Sequence, residues 1–268
     1  KQGFDIFNVY DENENLTLRH SKLLEKFSSE FKSKNFFLYL HYDKIHSGIT
    51  ESVLKKFDNF SSEYFKNQEN NKKNYDKLFY ESELYLEQIF NQLESLNLLK
   101  NSLVLVLSDH GISVGEKFGE RAYGAFCYDY TLKTFCYVYN SELNSKEVPN
   151  QVRTVDFMPT ILELLQIPLK SNFQNLDGES LIPLIKGEKY EEKIAFSETG
   201  NPLKENKPPK EPNTKSVRTS EWKLIYNVYD NTKELYNLQS DPDEKENLIG
   251  MNLEIEEKLW LELQKHME

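Results

Sequence analysis

The 268-residue sequence predicts an α/β fold in which a mostly parallel sheet flanked by helices is followed by a small antiparallel sheet and a closing helix. Three observations carry this. The apolar runs at residues 36–40 (FFLYL) and 103–107 (LVLVL) show no alternation, the form of strands covered on both faces. Each run follows a stretch whose apolar residues recur at helical spacing. Beyond residue 190 the pattern changes to short strands separated by turn residues.

In chain order, Leu23, Leu24, Phe27 and Phe31 give residues 18–34 one apolar helical face, and the strand at 36–40 comes next. A polar stretch, 66–74, precedes a second helical pattern from 75 to about 98, carried by Leu78, Phe79, Leu86, Ile89, Phe90, Leu93 and Leu96. It leads into the central strand at 103–107. A further strand is expected at 134–139. A helix is expected at 156–166, with Asp156 as its cap and Pro159 in its first turn. Residues 201–214, rich in Pro, Lys and Glu, read as an exposed loop. Short strands follow at 216–218, 222–228 and 234–238, with Asp230-Asn231 as the clearest turn, and a helix closes the chain at 253–266. The expected division is therefore an α/β part, 1–195, and a small antiparallel sheet with its helix, 196–268.

Composition narrows the function. A content of 38% hydrophobic and 13% aromatic residues supports a sizeable core. A formal charge of −11 without a Lys/Arg stripe argues against nucleic acid as a partner. No apolar run is long enough to span a bilayer, and no leader pattern occurs at the start. Cys127 and Cys136 lie in or beside apolar stretches without metal-binding spacing and read as plain buried thiols.

The residues that can carry chemistry begin with Ser108-Asp109-His110-Gly111, directly after the 103–107 strand. Ligands of open α/β sheets bind beyond the carboxyl ends of strands, and a carboxylate beside an imidazole suits a divalent cation. On its own the tripeptide reads as well as a turn cap and a surface histidine.

Together with the preceding segment 96–102, however, this motif resembles the metal motif of the sulfatase family within the alkaline phosphatase superfamily. Other segments agree in order and spacing. Gly3-Phe4-Asp5 resembles the segment after the family's nucleophile region, and residues 36–46 its strand ending in a histidine. Residues 154–162 (TVDFMPTIL) are similar to its "VDLxPTLL" helix, and 176–181 (LDGESL) to its "LDGxSL" turn. Val217-Arg218-Thr219, Trp222-Lys223-Leu224, 234–238 (ELYNL) and Asp241-Pro242 resemble its C-terminal hairpin.

This resemblance implies an alkaline-phosphatase-like fold and a metal-dependent sulfuric ester hydrolase. Asp109 and His110 become metal ligands. The family often has Asn where His110 stands, and an imidazole in place of an amide tilts the choice from calcium toward manganese or zinc. His46 falls where the family has a histidine that contacts the sulfate or protonates the leaving group, although the family's flanking prolines are missing from Ile45-His46-Ser47-Gly48; His41 is a rival. Lys117 and Arg121, in a glycine-punctuated loop after the motif, are candidates to neutralise a substrate oxygen.

None of the four arginines, Arg19, Arg121, Arg153 and Arg218, ends the short Cys or Ser motif in which the family's nucleophile lies. The chain is therefore expected to be the C-terminal part of the enzyme and inactive alone. The expected partners are the N-terminal part of the same protein and a sulfated small molecule or glycan. Two alternatives remain. One is another ester chemistry of the superfamily, namely phosphodiesterase, phosphonate hydrolase or phosphoethanolamine transferase; the other is a non-catalytic binding domain of the same fold.

Overall fold

The computed structural model of the protein describes residues 3–10, 14–31, 34–55, 59–60, 62–120, 124–169, 176–203, 209–251 and 253–268. The chain separates into two compact units. The first comprises residues 1–105, 114–118 and 137–142, and the second 106–113, 119–136 and 143–268.

In the first unit, α1 (Leu16–Glu30) starts where Asn15 accepts a hydrogen bond from the Leu18 amide at 3.0 Å, satisfying one of the amides a helix start leaves unpaired. It buries Leu16, His20, Leu24 and Phe27, spaced for one face. The opposing surface is α4 (Gln68–Ser95), where Tyr85 and Ile89 join Leu24 in a core that Leu38, Leu40, Tyr42, Leu93 and Leu98 extend. α4 reaches two turns further back than its apolar pattern, into the polar stretch. Those turns are held by polar contacts: Lys73 pairs with Glu69 one turn away, and the buried Asn71 amide donates to the Tyr64 and Val114 carbonyls.

The sequence did not announce α2 (Lys44–Val53), which carries His46. Without the flanking prolines of the family pattern nothing bars these residues from helical geometry. Gly48 then brings α2 close to α4, since a Cβ there would lie 2.7 Å from Leu78 Cδ2. A short antiparallel pair, β1 (Leu54–Lys55) and β2 (Asn59–Phe60), and α3 (Ser62–Lys66) lie between α2 and α4.

Two expectations about strands are corrected. Residues 36–40 form no strand: Leu38 and Leu40 pack on the α1–α4 core while Phe37 and Tyr39 face outward, and the segment has no ladder among the described residues. Nor does a parallel pair occur among the described residues. Strands β3 (Val104–Leu107) and β4 (Cys136–Tyr139) form a two-stranded sheet. The Ser108 amide donates to the Phe135 carbonyl at one end and Asn140 Nδ2 to the Ser102 carbonyl at the other, which is antiparallel. An apolar run reports burial; it carries no information on the direction of a neighbour, or on whether one exists.

The second unit is built on a four-stranded antiparallel sheet in sequence order, β5 (Ala195–Thr199), β6 (Thr214–Arg218), β7 (Trp222–Asn227) and β8 (Thr232–Asn237). The hairpin expected over 216–238 is its centre. The pairings Val217↔Leu224 and Leu224↔Leu235 set these three residues in one row across the sheet. The row packs on Leu259 and Leu263 of α8 (Leu253–Met267), each at most 1% exposed. The opposite face is polar, with Ser216, Arg218, Lys223 and Glu234 in register around Ile225 and Tyr236.

Before the sheet come α5 (Asp129–Leu132), α6 (Phe157–Leu164) and α7 (Ile182–Lys186). Asp156 precedes α6 as expected but does not cap its amides. Its carboxylate turns back to the Arg153 amide and guanidinium and accepts from the Glu179 amide at 3.0 Å. A Cβ on Gly178 would stand 1.9 Å from the Val155 carbonyl oxygen, so only glycine lets the 176–181 turn lie there.

Leu259→Ala is expected to lower stability by about 3 kcal/mol, because the emptied site lies between a sheet and a helix that cannot collapse onto it; equilibrium urea unfolding checks this. A second prediction concerns His20, which is fully buried, with Nδ1 2.7 Å from the Tyr85 hydroxyl. Burial, with smaller contributions from His41 and Arg19, lowers its pKa from 6.5 to about 4. Folding thus favours the neutral ring, and this contribution is complete above pH 6.5 and lost as pH falls toward 4. The stability difference between the wild type and His20→Gln should narrow by on the order of 2 kcal/mol across that window, measured by urea unfolding at each pH.

Candidate metal centre

The Asp109-His110-Gly111 turn follows β3 in the second unit. The Asp109 side chain is 76% exposed and that of His110 37%. The His110 amide donates to Asp109 Oδ1 at 2.9 Å, which pins the carboxylate over the turn. His110 Nδ1 lies 2.6 Å from the Gly111 carbonyl oxygen, and a carbonyl can only accept. In the neutral ring the proton is therefore on Nδ1 and the lone pair on Nε2, 3.7 Å from Asp109 Oδ2. One cation with bonds of about 2.0–2.3 Å could reach both atoms. The two donors fit a divalent metal as part of a larger set. Among the described residues, no group of three or more His, Cys, Asp and Glu side chains is arranged to hold an ion.

The turn is held by residues 128–135. The Gly111 amide donates to the Thr131 carbonyl at 2.8 Å, and a Cβ on Gly111 would fall 2.2 Å from the Tyr130 carbonyl oxygen. Glycine is required there by contact with backbone rather than by its φ. On the other side of the turn, Ser108 Oγ accepts from the Phe135 amide at 3.3 Å.

Residues 128–135 are in turn tied to the polar face of the sheet. Asp129 accepts from Lys223 Nζ at 2.8 Å and from Arg218 Nη2 at 2.7 Å. Its amide donates to Glu244 Oε2 at 2.6 Å. Lys223, with no exposed surface, also pairs with Glu244 at 2.9 Å. Burial alone would raise the Asp129 pKa, but the bonds from Arg218 and Lys223 bring it down to about 2. For Glu244 burial wins and its pKa is raised. Alongside, Tyr128 donates to Glu234 at 2.6 Å, and the buried Glu120 accepts from the Ala125 amide and the Tyr130 hydroxyl. Sequence reasoning singled out none of Asp129, Glu244 and Glu120. The one available signal was Lys223, a lysine set between Trp222 and the run Leu224-Ile225-Tyr226 of a strand.

The remaining candidates lie elsewhere or outside the described residues. His46 and His41 belong to the first unit, His46 half-buried on α2 and His41 exposed, its Nδ1 3.1 Å from the Tyr39 hydroxyl. Lys117 is also in the first unit, half-buried in a loop bounded by Gly115 and Gly119 at positive φ. Arg121 lies outside the described residues. Cys127 and Cys136 are free thiols; Cys127 is fully buried, which pushes its pKa up to about 12.

Comparison with known proteins identifies the family. Residues 6–167 match the sulfatase family model, and residues 123–268 match the model described as N-sulphoglucosamine sulphohydrolase, C-terminal. Arylsulfatase K of Rattus norvegicus is 29% identical over 247 residues, covering 82% of this chain and 41% of that protein. Arylsulfatase K of Homo sapiens is 31% identical over 175 residues, 63% of this chain and 31% of that protein. The chain thus spans at most about two-fifths of these relatives. Among solved structures, a 2-O GAG sulfatase superimposes with a TM-score of 0.69 at 17% identity, over 98% of this chain and 66% of that one. A second, solved in complex with its substrate D-glucosamine-2-N,6-O-disulfate, gives 0.55 at 22% identity, over 68% and 37%. These likenesses show the alkaline-phosphatase-like sulfatase fold, and with a family model matching more than half of its residues, the chain belongs to the sulfatase family.

Proposed function

We propose that this chain supplies the C-terminal part of a metal-dependent sulfuric ester hydrolase acting on a sulfated sugar. The observation that carries the reading is the pairing of Asp109 Oδ2 with His110 Nε2 at 3.7 Å, the ring's other nitrogen being committed to the Gly111 carbonyl. A tautomer set by a backbone acceptor is the usual preparation of a histidine for metal binding. The sulfated sugar is suggested by the relatives, one a 2-O GAG sulfatase and another solved with a disulfated glucosamine.

In this mechanism Asp109 and His110 would hold and orient a divalent cation, with manganese or zinc favoured over calcium by the imidazole. When bound, that ion would withdraw charge from the ester sulfur and its oxygens. Lys117 and Arg121 would neutralise non-bridging oxygens as charge builds, and His46, with His41 as rival, would give a proton to the departing oxygen. The attacking nucleophile is assigned to a part of the protein outside these residues, in line with the share of the relatives' length that the chain spans.

Two outcomes test this. Manganese titrated into the full-length protein should bind at a site that Asp109→Ala or His110→Ala weakens by roughly tenfold or more, followed by isothermal calorimetry. Undiminished binding in both variants would overturn the assignment. In an aryl sulfate assay with calcium, manganese or zinc, the longer gene product should turn over and the 268-residue chain should not. Turnover by the chain alone, abolished by Asp109→Ala, would place the nucleophile within it.

A further inference from the structure

We infer that Asp129 is a positioning residue for the metal centre: its buried ion network with Lys223, Arg218 and Glu244 holds the backbone on which the Asp109-His110-Gly111 turn rests. The inference rests on the functional reading above only where it concerns the metal. The positioning itself is argued from contacts within the second unit.

The chain of contacts is short. Asp129 begins α5, and two residues later the Thr131 carbonyl receives the Gly111 amide at 2.8 Å. Between them, the Tyr130 carbonyl oxygen fills the place where any side chain on Gly111 would go, 2.2 Å from a Cβ. A displacement of α5 must therefore be taken up by Gly111 and its neighbour His110. There is no intervening side chain to absorb it.

What fixes α5 is charge. Its four helical residues are too few to hold a position by themselves. Asp129 receives Lys223 at 2.8 Å on one oxygen and Arg218 at 2.7 Å on the other, and its own amide is taken by Glu244 at 2.6 Å. Arg218 is further oriented by Gln151 and by the Thr219 carbonyl. Two cations face two carboxylates, so the group is neutral as a whole and every member depends on the others. Such a buried network is exacting about geometry, because a small shift leaves a charge without its partner in a medium that cannot solvate it. An apolar contact in the same place would let α5 slide. The link from the network to the turn runs through the backbone of residues 129–131, which meets Gly111 directly.

The test separates positioning from general destabilisation. Asp129→Asn keeps the shape and removes one charge, whereas Leu259→Ala weakens the same sheet from its opposite, apolar face. Hydrogen exchange of the Gly111 amide, read by mass spectrometry on peptides spanning the turn at matched global stability, should be about tenfold faster in Asp129→Asn than in Leu259→Ala. Should Asp129→Asn fail to fold, Asp129→Glu, which keeps the charge and adds one methylene, should show an increase of about threefold. Equal exchange at the turn in the Asp129 variant and Leu259→Ala would overturn the inference. Manganese titration of the full-length protein completes the experiment. A loss of affinity of about tenfold in Asp129→Asn but not in Leu259→Ala is expected. Faster exchange at Gly111 with manganese affinity unchanged by Asp129→Asn and by Asp109→Ala alike would leave the positioning standing and remove the metal reading.

Discussion

Burying the ammonium of Lys223 is the most demanding requirement in the second unit. A charge with no exposed surface is tolerated only if counter-charges and hydrogen bonds replace the water it has lost, and here Asp129 and Glu244 do so. Meeting that requirement brings together residues far apart in the sequence: the segment after the metal motif, the strands β6 and β7, and the turn after β8. Hydrophobic burial on the α8 side gives the sheet its stability. The polar side determines what the sheet may be docked against, because a chain segment without a carboxylate at the position of Asp129 would leave Lys223 and Arg218 under-compensated.

This division of labour between the two faces follows from the register. Val217, Leu224 and Leu235 share a row on one face, and the alternation of a strand places Arg218, Lys223 and Tyr236 in a row on the other. A slip of one residue would exchange the rows, sending Lys223 into the α8 core and Leu224 against Asp129. Register and charge pairing are thus consequences of one alignment, and the Asp109-His110-Gly111 turn rests on the segment that the pairing holds.

The exposure of the motif is consistent with a binding role. Asp109 and His110 are held by short backbone contacts, through the Asp109 bond to the His110 amide and the His110 bond to the Gly111 carbonyl, yet their outer atoms face away from these partners. Rigid support of partly exposed side chains suits a metal-ligand pair. The buried charges of the Asp129 network, by contrast, are paired with one another within the protein.

Much of this was legible in the residues themselves. Helical spacing located α1, most of α4, α6 and α8; turn chemistry at Asp230-Asn231 located the β7–β8 hairpin; and the order of motifs around Asp109-His110-Gly111 identified the family. These signals are local, since spacing and turn preference act over a few residues. Pairing is not local. The apolar run at 36–40 looked like a strand but found no ladder among the described residues. The expected parallel sheet does not occur among them either, because burial in the sequence does not specify a neighbour or its direction. α2 appeared where missing prolines merely permitted it. Nothing in the sequence set Asp129, Glu244 and Glu120 apart from solvated carboxylates. Only the tertiary structure decided that they are buried, because for Asp129 and Glu244 the cost of burying a charge is met by partners that lie up to 115 positions away and become neighbours only when the chain folds.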